Sequence, residues 1–272
     1  MTPEDIVNFM ARYKLTIEYA GTRYSGWQVQ KNARTVQGEL QRAIREATGA
    51  AALDLQGSGR TDAGVHALEQ VAHLEVSTTL PPESLRRRIN DTLPADINVL
   101  AVAPAKHRFH ARHDATSRSY LYQVARRRTA FAKPFVWWVK EDLDVPRMRA
   151  AAARLTGLHD FRSFTDSDPG ETSTKVLLGG IDIAEDGDLI LIRVVGSHFV
   201  WKMVRRIVGV LVEVGRGGLE PEAVERFLEE ESPVPARLTA PASGLFLERV
   251  VYGNAAEPPL RAVTPVTSQA DR

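Results

Sequence analysis

Cysteine is absent from this chain of 272 residues. Its absence excludes a disulfide framework, a thiolate metal site and a cysteine nucleophile. An uncharged apolar run long enough to span a bilayer is also missing. Residues 1–12, an extension ahead of the first patterned strand, carry Glu4 and Asp5 and no long apolar stretch. A secretory leader is therefore not expected there, and the simplest expectation is a soluble, cytoplasmic protein. Net charge is nearly absent too, at +1. What remains is ordinary globular material, 43% hydrophobic and 25% charged, enough for one large domain or two moderate ones.

The near-zero charge hides an uneven distribution. Between Ala101 and Lys140 nine Lys and Arg residues face a single acid, Asp114. Arg108, Arg112, Arg118, Arg126, Arg127 and Arg128 supply most of that excess. Acidic runs such as Glu229-Glu230-Glu231 balance it elsewhere. Charge runs are commonly solvated faces, but a basic block in a near-neutral protein also suits a phosphate-tracking surface.

Patterning divides the chain into two sheet-and-helix stretches with no close sequence repeat between them. Tyr13, Leu15, Ile17 and Tyr19 alternate as in a half-buried strand. Thr35 is placed to cap a helix with Val36, Leu40, Ala43, Ile44 and Ala47 on one face, ended by Gly49. A short strand near Leu53–Gln56 and another through Ala72, Leu74 and Val76 enclose a glycine-rich loop. Pro81-Pro82 open a second helix, and Ile97, Val99, Ala101 and Ala103 form a further strand. Strand, helix, strand, strand, helix, strand is the ferredoxin-like order, which RNA-recognition modules share.

The second stretch has a strand around Tyr120, Tyr122 and Val124 and a helix over Pro146–Leu155 ended by Gly157. A polar, aromatic loop is expected over 157–164. A hairpin then turns at 185–188, strong helix-forming sequence runs from Phe199 to Val214, and another helix covers Pro221–Glu231. Leu245, Leu247, Arg249 and Val251 alternate in a last strand. The expected organisation is α+β: residues 13–113 as one half carrying the glycine loop, 114–253 as the other, antiparallel sheets in both, and a cleft between them. Residues 254–272 have few large apolar groups and are expected to be a disordered tail.

The glycine loop, Gly57-Ser58-Gly59-Arg60-Thr61-Asp62-Ala63-Gly64-Val65-His66-Ala67, is the chain's most unusual stretch. Glycines allow positive φ and close approach by another molecule. The loop is not a Walker loop, since the Lys-Ser/Thr end is missing, and Asp62 stands where a dinucleotide fingerprint has its third glycine. Local composition leaves two readings open: a tight surface turn with an incidental Arg/Asp pair, or a loop presenting Asp62 as a working carboxylate. In the second reading the carboxylate must stay ionised, which a neighbouring arginine favours. Arg60, Arg205 and Arg206 are the candidates. His107, His110 and His113 recur every third residue and raise a metal site as a third idea. Arg108 and Arg112 between them repel a cation, so no metal is expected, and local packing is the simpler role for His110.

Gly59–Ala67 resembles the catalytic loop of the tRNA pseudouridine synthase A family, and agreement extends from about Tyr13 to Tyr252. Gly26-Trp27-Gln28, Thr35-Val36-Gln37, Leu93-Pro94, Asp96-Ile97 and Phe109-His110-Ala111-Arg112 follow the family's order. So do Arg118-Ser119-Tyr120-Leu121-Tyr122, His159-Asp160-Phe161, Met203-Val204-Arg205, Ile207-Val208-Gly209 and Pro241-Ala242-Ser243-Gly244-Leu245. One departure is Ser197-His198-Phe199-Val200, where family members commonly place Asn.

The resemblance implies a pseudouridine synthase fold built of two ferredoxin-like halves. The implied reaction isomerises uridine to pseudouridine in the anticodon stem-loop of tRNA, at uridines 38, 39 and 40, without a cofactor. It implies Asp62 as the catalytic carboxylate and Tyr120 as the ring stacked on the target uracil. Arg205 would be the partner of Asp62, and Arg60 would help hold the flipped nucleotide. A homodimer is likewise implied. Two other readings remain: a non-catalytic RNA-binding or RNA-folding module, to which the basic block alone would suffice, and a metal-dependent hydrolase using the three histidines.

Overall fold

Alternate residues of β1 (Ala11–Tyr19) are buried, with Leu15 and Ile17 fully covered, as the apolar pattern requires. In this computed structural model the described residues are 10–167, 170 and 173–266. Residues 1–9 of the expected N-terminal extension lie outside them. Contacts divide the chain into two units. One contains the residues up to Ala115 together with Leu247–Gly253, and the other contains Thr116–Phe246 and the residues from Asn254 onward.

In the first unit β1 is followed by α1 (Val36–Thr48), β2 (Leu53–Gly57), β3 (His66–Val76), α2 (Pro82–Thr92) and β4 (Ile97–Pro104). Thr35 caps α1 by accepting the Gly38 N–H, and Gly49 ends it at φ 69°. β1 lies between β3 and β4, antiparallel to both, with Leu15 opposite Ala72 and Val102. β2 pairs antiparallel with the end of β3, so the order β4-β1-β3-β2 is the ferredoxin-like one. α1 buries Leu40, Ala43 and Ile44, and α2 buries Leu85 and Ile89. The strand expected near Ala72 begins earlier, at His66, so the glycine loop enters β3 directly.

The second unit has β5 (Ser117–Ala125), β6 (Trp137–Trp138), α3 (Val145–Arg154), β7 (Gly157–Asp160), β8 (Lys175–Asp186), β9 (Leu189–Gly196), α4 (Met203–Gly215), α5 (Ala223–Glu229) and α6 (Val234–Arg237). β9 lies between β5 and β8, antiparallel to both. The expected loop at 157–164 is in part a strand, because β7 pairs antiparallel with β8, with Gly157 opposite Leu178. The helix expected from Phe199 starts at Met203, after Lys202 turns the chain at φ 62°. α4 then buries almost every residue to Gly215.

The last strand, β10 (Leu245–Val251), neighbours β3, and its residues from Leu247 belong with the first unit. It is buried on both faces except at Arg249, where the sequence suggested alternation. The tail also differs from expectation over its described part. Val266 is buried and its carbonyl accepts the Asp188 N–H at 3.0 Å. Val263 N–H donates to Gln123 Oε1 at 2.7 Å, and Arg193 Nη1 donates to the Pro258 carbonyl at 2.8 Å. Buried polar groups of the unit thus bind backbone that composition alone would leave in water.

Candidate catalytic site

The glycine loop closes onto the first unit through small residues and buried polar groups. Gly21 presses on the loop so closely that a Cβ there would lie 1.9 Å from the Val65 carbonyl oxygen. The Gly21 N–H donates to His66 Nδ1 at 3.0 Å, which assigns the proton of a neutral His66 to Nε2. Gly26, at φ 89°, allows the Trp27 N–H to reach the Thr61 carbonyl at 3.0 Å. A Cβ on Gly57 would enter the Trp27 ring. Trp27, 1% exposed, is thereby a floor under the end of β2.

Thr61 is the anchor of the loop. It is buried, and its hydroxyl shares a hydrogen bond of 2.8 Å with Tyr19 Oη. Gln70, with no exposed surface, donates to the Gly59 carbonyl at 2.9 Å. On either side of this inward-facing threonine, Arg60 is exposed and Asp62 half-buried. Asp62 also begins a turn: its carbonyl accepts the Val65 N–H at 3.1 Å, and Gly64 takes φ 79°. That positive φ at the third turn position is the type II requirement, which glycine meets without strain. The turn therefore holds one carboxylate at the rim of a rigid strand connection. Of the supporting residues, Tyr19 reads in the sequence only as part of the first strand's alternation, and Thr61, His66 and Gln70 are given no role there. Only the polarity of Gln70 within an apolar strand hinted at a buried partner.

Tyr120 and Arg205 belong to the second unit. Tyr120 sits on β5 opposite Val194, half-buried, with the Phe199 ring edge-on at 5.0 Å. The following hydroxyl, Tyr122 Oη, donates to the Pro241 carbonyl at 2.8 Å. Burial pushes the Tyr122 phenol well above its usual range, against the opposing pull of the Arg205 charge. Arg205, on the first turn of α4, is joined twice to Ala240. Its Nε donates to the Ala240 carbonyl at 2.7 Å, and its own carbonyl accepts the Ala240 N–H at 3.0 Å. Gly209 permits this packing, since a Cβ there would lie 1.7 Å from the Leu238 carbonyl oxygen. Arg206, by contrast, is buried and paired with Asp166, which half-buried Lys202 also contacts at 2.7 Å. These cations hold the Asp166 carboxyl below its usual range.

The six arginines of the basic block separate by environment. Arg108 and Arg112 are exposed on the segment after β4. Arg118 is buried and donates to the Ser197 carbonyl at 2.8 Å, which gives the departing Ser197 segment an anchor through its backbone. Arg126 pairs with Glu185 at 2.5 Å and Arg127 with Asp188 at 2.6 Å, across the hairpin of β8 and β9. Arg128 is exposed and lies over the Trp138 ring at 5.4 Å. A charge count along the chain cannot register partners on a distant hairpin.

His110 meets His113 and, from β3, His73 with tilted rings, while His107 is exposed. His110 lies 4.6 Å from His73 and 4.2 Å from His113, ring centre to ring centre. His110 Nδ1 accepts the N–H groups of Arg112 and His113 at 3.1 and 3.3 Å, so that lone pair is already used. Burial and neighbouring charge lower the pKa of both His73 and His110. Among the described residues no group of three His, Asp or Glu is arranged to hold a metal ion.

Comparison with known proteins gives the family. The tRNA pseudouridine synthase family profile matches residues 15–114 and 151–253. A tRNA pseudouridine synthase A of Pelobacter propionicus is 42% identical over 245 residues, covering 89% of this chain and 100% of the relative. The Agrobacterium fabrum tRNA pseudouridine synthase A is 38% identical over 267 residues, covering 96% of this chain and 100% of its own. A tRNA pseudouridine synthase A 2 of Bacillus cereus is 38% identical over 246 residues, with 89% and 100% covered. The match includes both the loop that presents Asp62 and the helix that carries Arg205, and the chain belongs to the tRNA pseudouridine synthase family.

Proposed function

We propose that the protein isomerises uridine to pseudouridine in the anticodon stem-loop of tRNA, at uridines 38, 39 and 40. The observation that carries the reading is the anchored turn, which presents Asp62 at a loop rim while Thr61 is bound inward to Tyr19. Asp62 acts as the ionised carboxylate that starts the reaction. Tyr120, backed by Phe199, stacks on the extruded uracil. Arg205 pairs with Asp62 and keeps it charged, its guanidinium being oriented by the Ala240 carbonyl. Arg60 holds the flipped nucleotide, and exposed Arg108 and Arg112 contribute phosphate contacts.

The bond changes balance without a cofactor. The C1′–N1 bond breaks, the uracil turns over, and C1′ bonds to C5. The C5 proton leaves to water, and N1 ends protonated. Among the described residues no helix is long and apolar enough to cross a membrane, and the reading places the work in the cytoplasm, where tRNA is found.

The test uses tRNA transcripts carrying tritium at uridine C5, from which turnover releases label. The wild type is expected to release it. Asp62→Asn is expected to lower release by at least about a thousandfold, with tRNA affinity within about twofold of wild type, as for a group acting mainly in the transition state. Normal binding by the wild type without label release would instead favour an RNA-binding module.

A further inference from the structure

Residues 126–136 leave the second unit's sheet at the end of β5 and return as β6, which lies parallel to β5 with Trp138 beside Ala125. The inner side of this excursion is fastened. Ala132 N–H donates to Thr129 Oγ1 at 3.3 Å, Phe135 N–H to the Ala132 carbonyl at 2.8 Å, and Gln123 Nε2 to the Phe135 carbonyl at 2.9 Å. Ala132 and Val136 are buried. The outer side is different: Phe131 is 98% exposed and Trp138 41% exposed. A phenylalanine held almost wholly in water on an ordered turn gains nothing from burial within this chain.

The segment that carries these rings is rich in cations. Arg128 lies over the Trp138 ring, and Lys133 and Lys140 are exposed. Trp138 and Lys140 point outward, whereas Val139 between them is 1% exposed. The nearby acid Glu141 is paired with Arg216 at 3.3 Å. Arg126 and Arg127 are partly neutralised by Glu185 and Asp188, and exposed Asp142 follows the two lysines.

We infer that this surface is a second RNA contact, which stacks an unpaired base of the bound tRNA on Phe131 and Trp138. Arg128, Lys133 and Lys140 take the adjoining phosphates. Flat rings and a guanidinium beside lysines suit single-stranded or looped RNA, whose bases can splay out to stack. A second copy of the chain would suit Phe131, Trp138 and Arg128 but would have to cover Lys133 and Lys140, and interface centres are depleted in lysine. The inference rests on the proposed tRNA substrate and uses none of the residues assigned to the reaction.

The test measures binding by the full chain to unmodified tRNA, to single-stranded oligouridylate and to a fully paired RNA duplex. Phe131→Ala and Trp138→Ala, singly and together, are each expected to weaken tRNA and oligouridylate binding by about fivefold or more. Duplex affinity and the mass in light scattering are expected to stay unchanged. Lys133→Ala and Lys140→Ala are expected to reduce the logarithmic salt slope for oligouridylate by about 0.7 each. Circular dichroism melts check folding; should Trp138→Ala unfold, the nearly solvated Phe131→Ala variant still decides. Unchanged tRNA affinity in Phe131→Ala overturns the inference, as does an affinity loss that tracks a loss of self-association. A wild type that binds no tRNA overturns the proposed substrate as well, whereas a binding, active wild type with unaltered variants overturns only this surface.

Discussion

At the residue scale, the decisive arrangement is the alternation around Thr61. An extended backbone sends successive side chains to opposite faces. Around Thr61, sunk onto the Tyr19 hydroxyl, Arg60 is exposed and Asp62 half-buried. Thr61→Val keeps the shape and removes one hydrogen bond of the buried Tyr19 hydroxyl, which also accepts from Gln70 Nε2 at 3.5 Å. The expected cost is about 1–2 kcal/mol in urea unfolding, with label release falling further than tRNA affinity. Thr61→Ser keeps the hydroxyl and is expected to recover most of that activity. Equal kinetics in Thr61→Val and wild type would remove the positioning role. Asp62 was picked out in the sequence by the resemblance of its loop to a family, because local composition left a plain turn equally open. Its anchor was not, because Thr61 and Tyr19 are forty-two positions apart and only the sheet brings them together.

At the element scale, α4 combines two demands that its apolar sequence alone does not reveal. It is the buried helix of its unit, and it also carries Arg205 at its first turn. Gly209 lets the 238–240 segment approach the helix, and that segment holds the Arg205 side chain through the Ala240 carbonyl. Gly209→Ala puts a methyl group into backbone rather than into a movable side chain. It is expected to destabilise the protein by about 1–3 kcal/mol and to lower activity together with stability. An unchanged denaturation midpoint would mean that the segment does not pack on α4 in solution. The helix itself was legible from its spacing, but its start was not. Phe199 to Lys202 carry helix-compatible residues, yet Lys202 adopts a left-handed conformation that ends any continuation from before it.

At the scale of the whole molecule, residues 258–266 are more committed than their composition suggests. Gln123 and Arg193 are almost fully buried, and each takes part of its hydrogen bonding from residues 258–264. A chain ending at Gly253 strands these groups. It is expected to lose about 2–4 kcal/mol of stability, read by tryptophan fluorescence, to which Trp137, Trp138 and Trp201 contribute from the affected unit. Unchanged unfolding would mean that the tail only lies on the surface. The family resemblance further leads us to propose a homodimer, for which light scattering at micromolar concentration is expected to give twice the chain mass of 30.1 kDa. A single-chain mass would contradict it.

Local chemistry was readable in the one dimension of the chain. The Thr35 cap, the Gly49 stop and the ferredoxin-like order of the first half follow from short-range periodicity and backbone preference. The resemblance of the loop motifs to a family was likewise complete in the sequence. Partnership was not. The tertiary structure alone decided that Arg118 is buried against Ser197 and that Arg126 and Arg127 meet acids on a distant hairpin. It also decided that residues 157–160 find a strand to pair with, and that Leu247–Gly253 join the first unit. Periodicity records which side of an element avoids water. It carries no information about which distant segment will cover that side or satisfy a buried charge, because that depends on contacts formed only when the chain closes on itself.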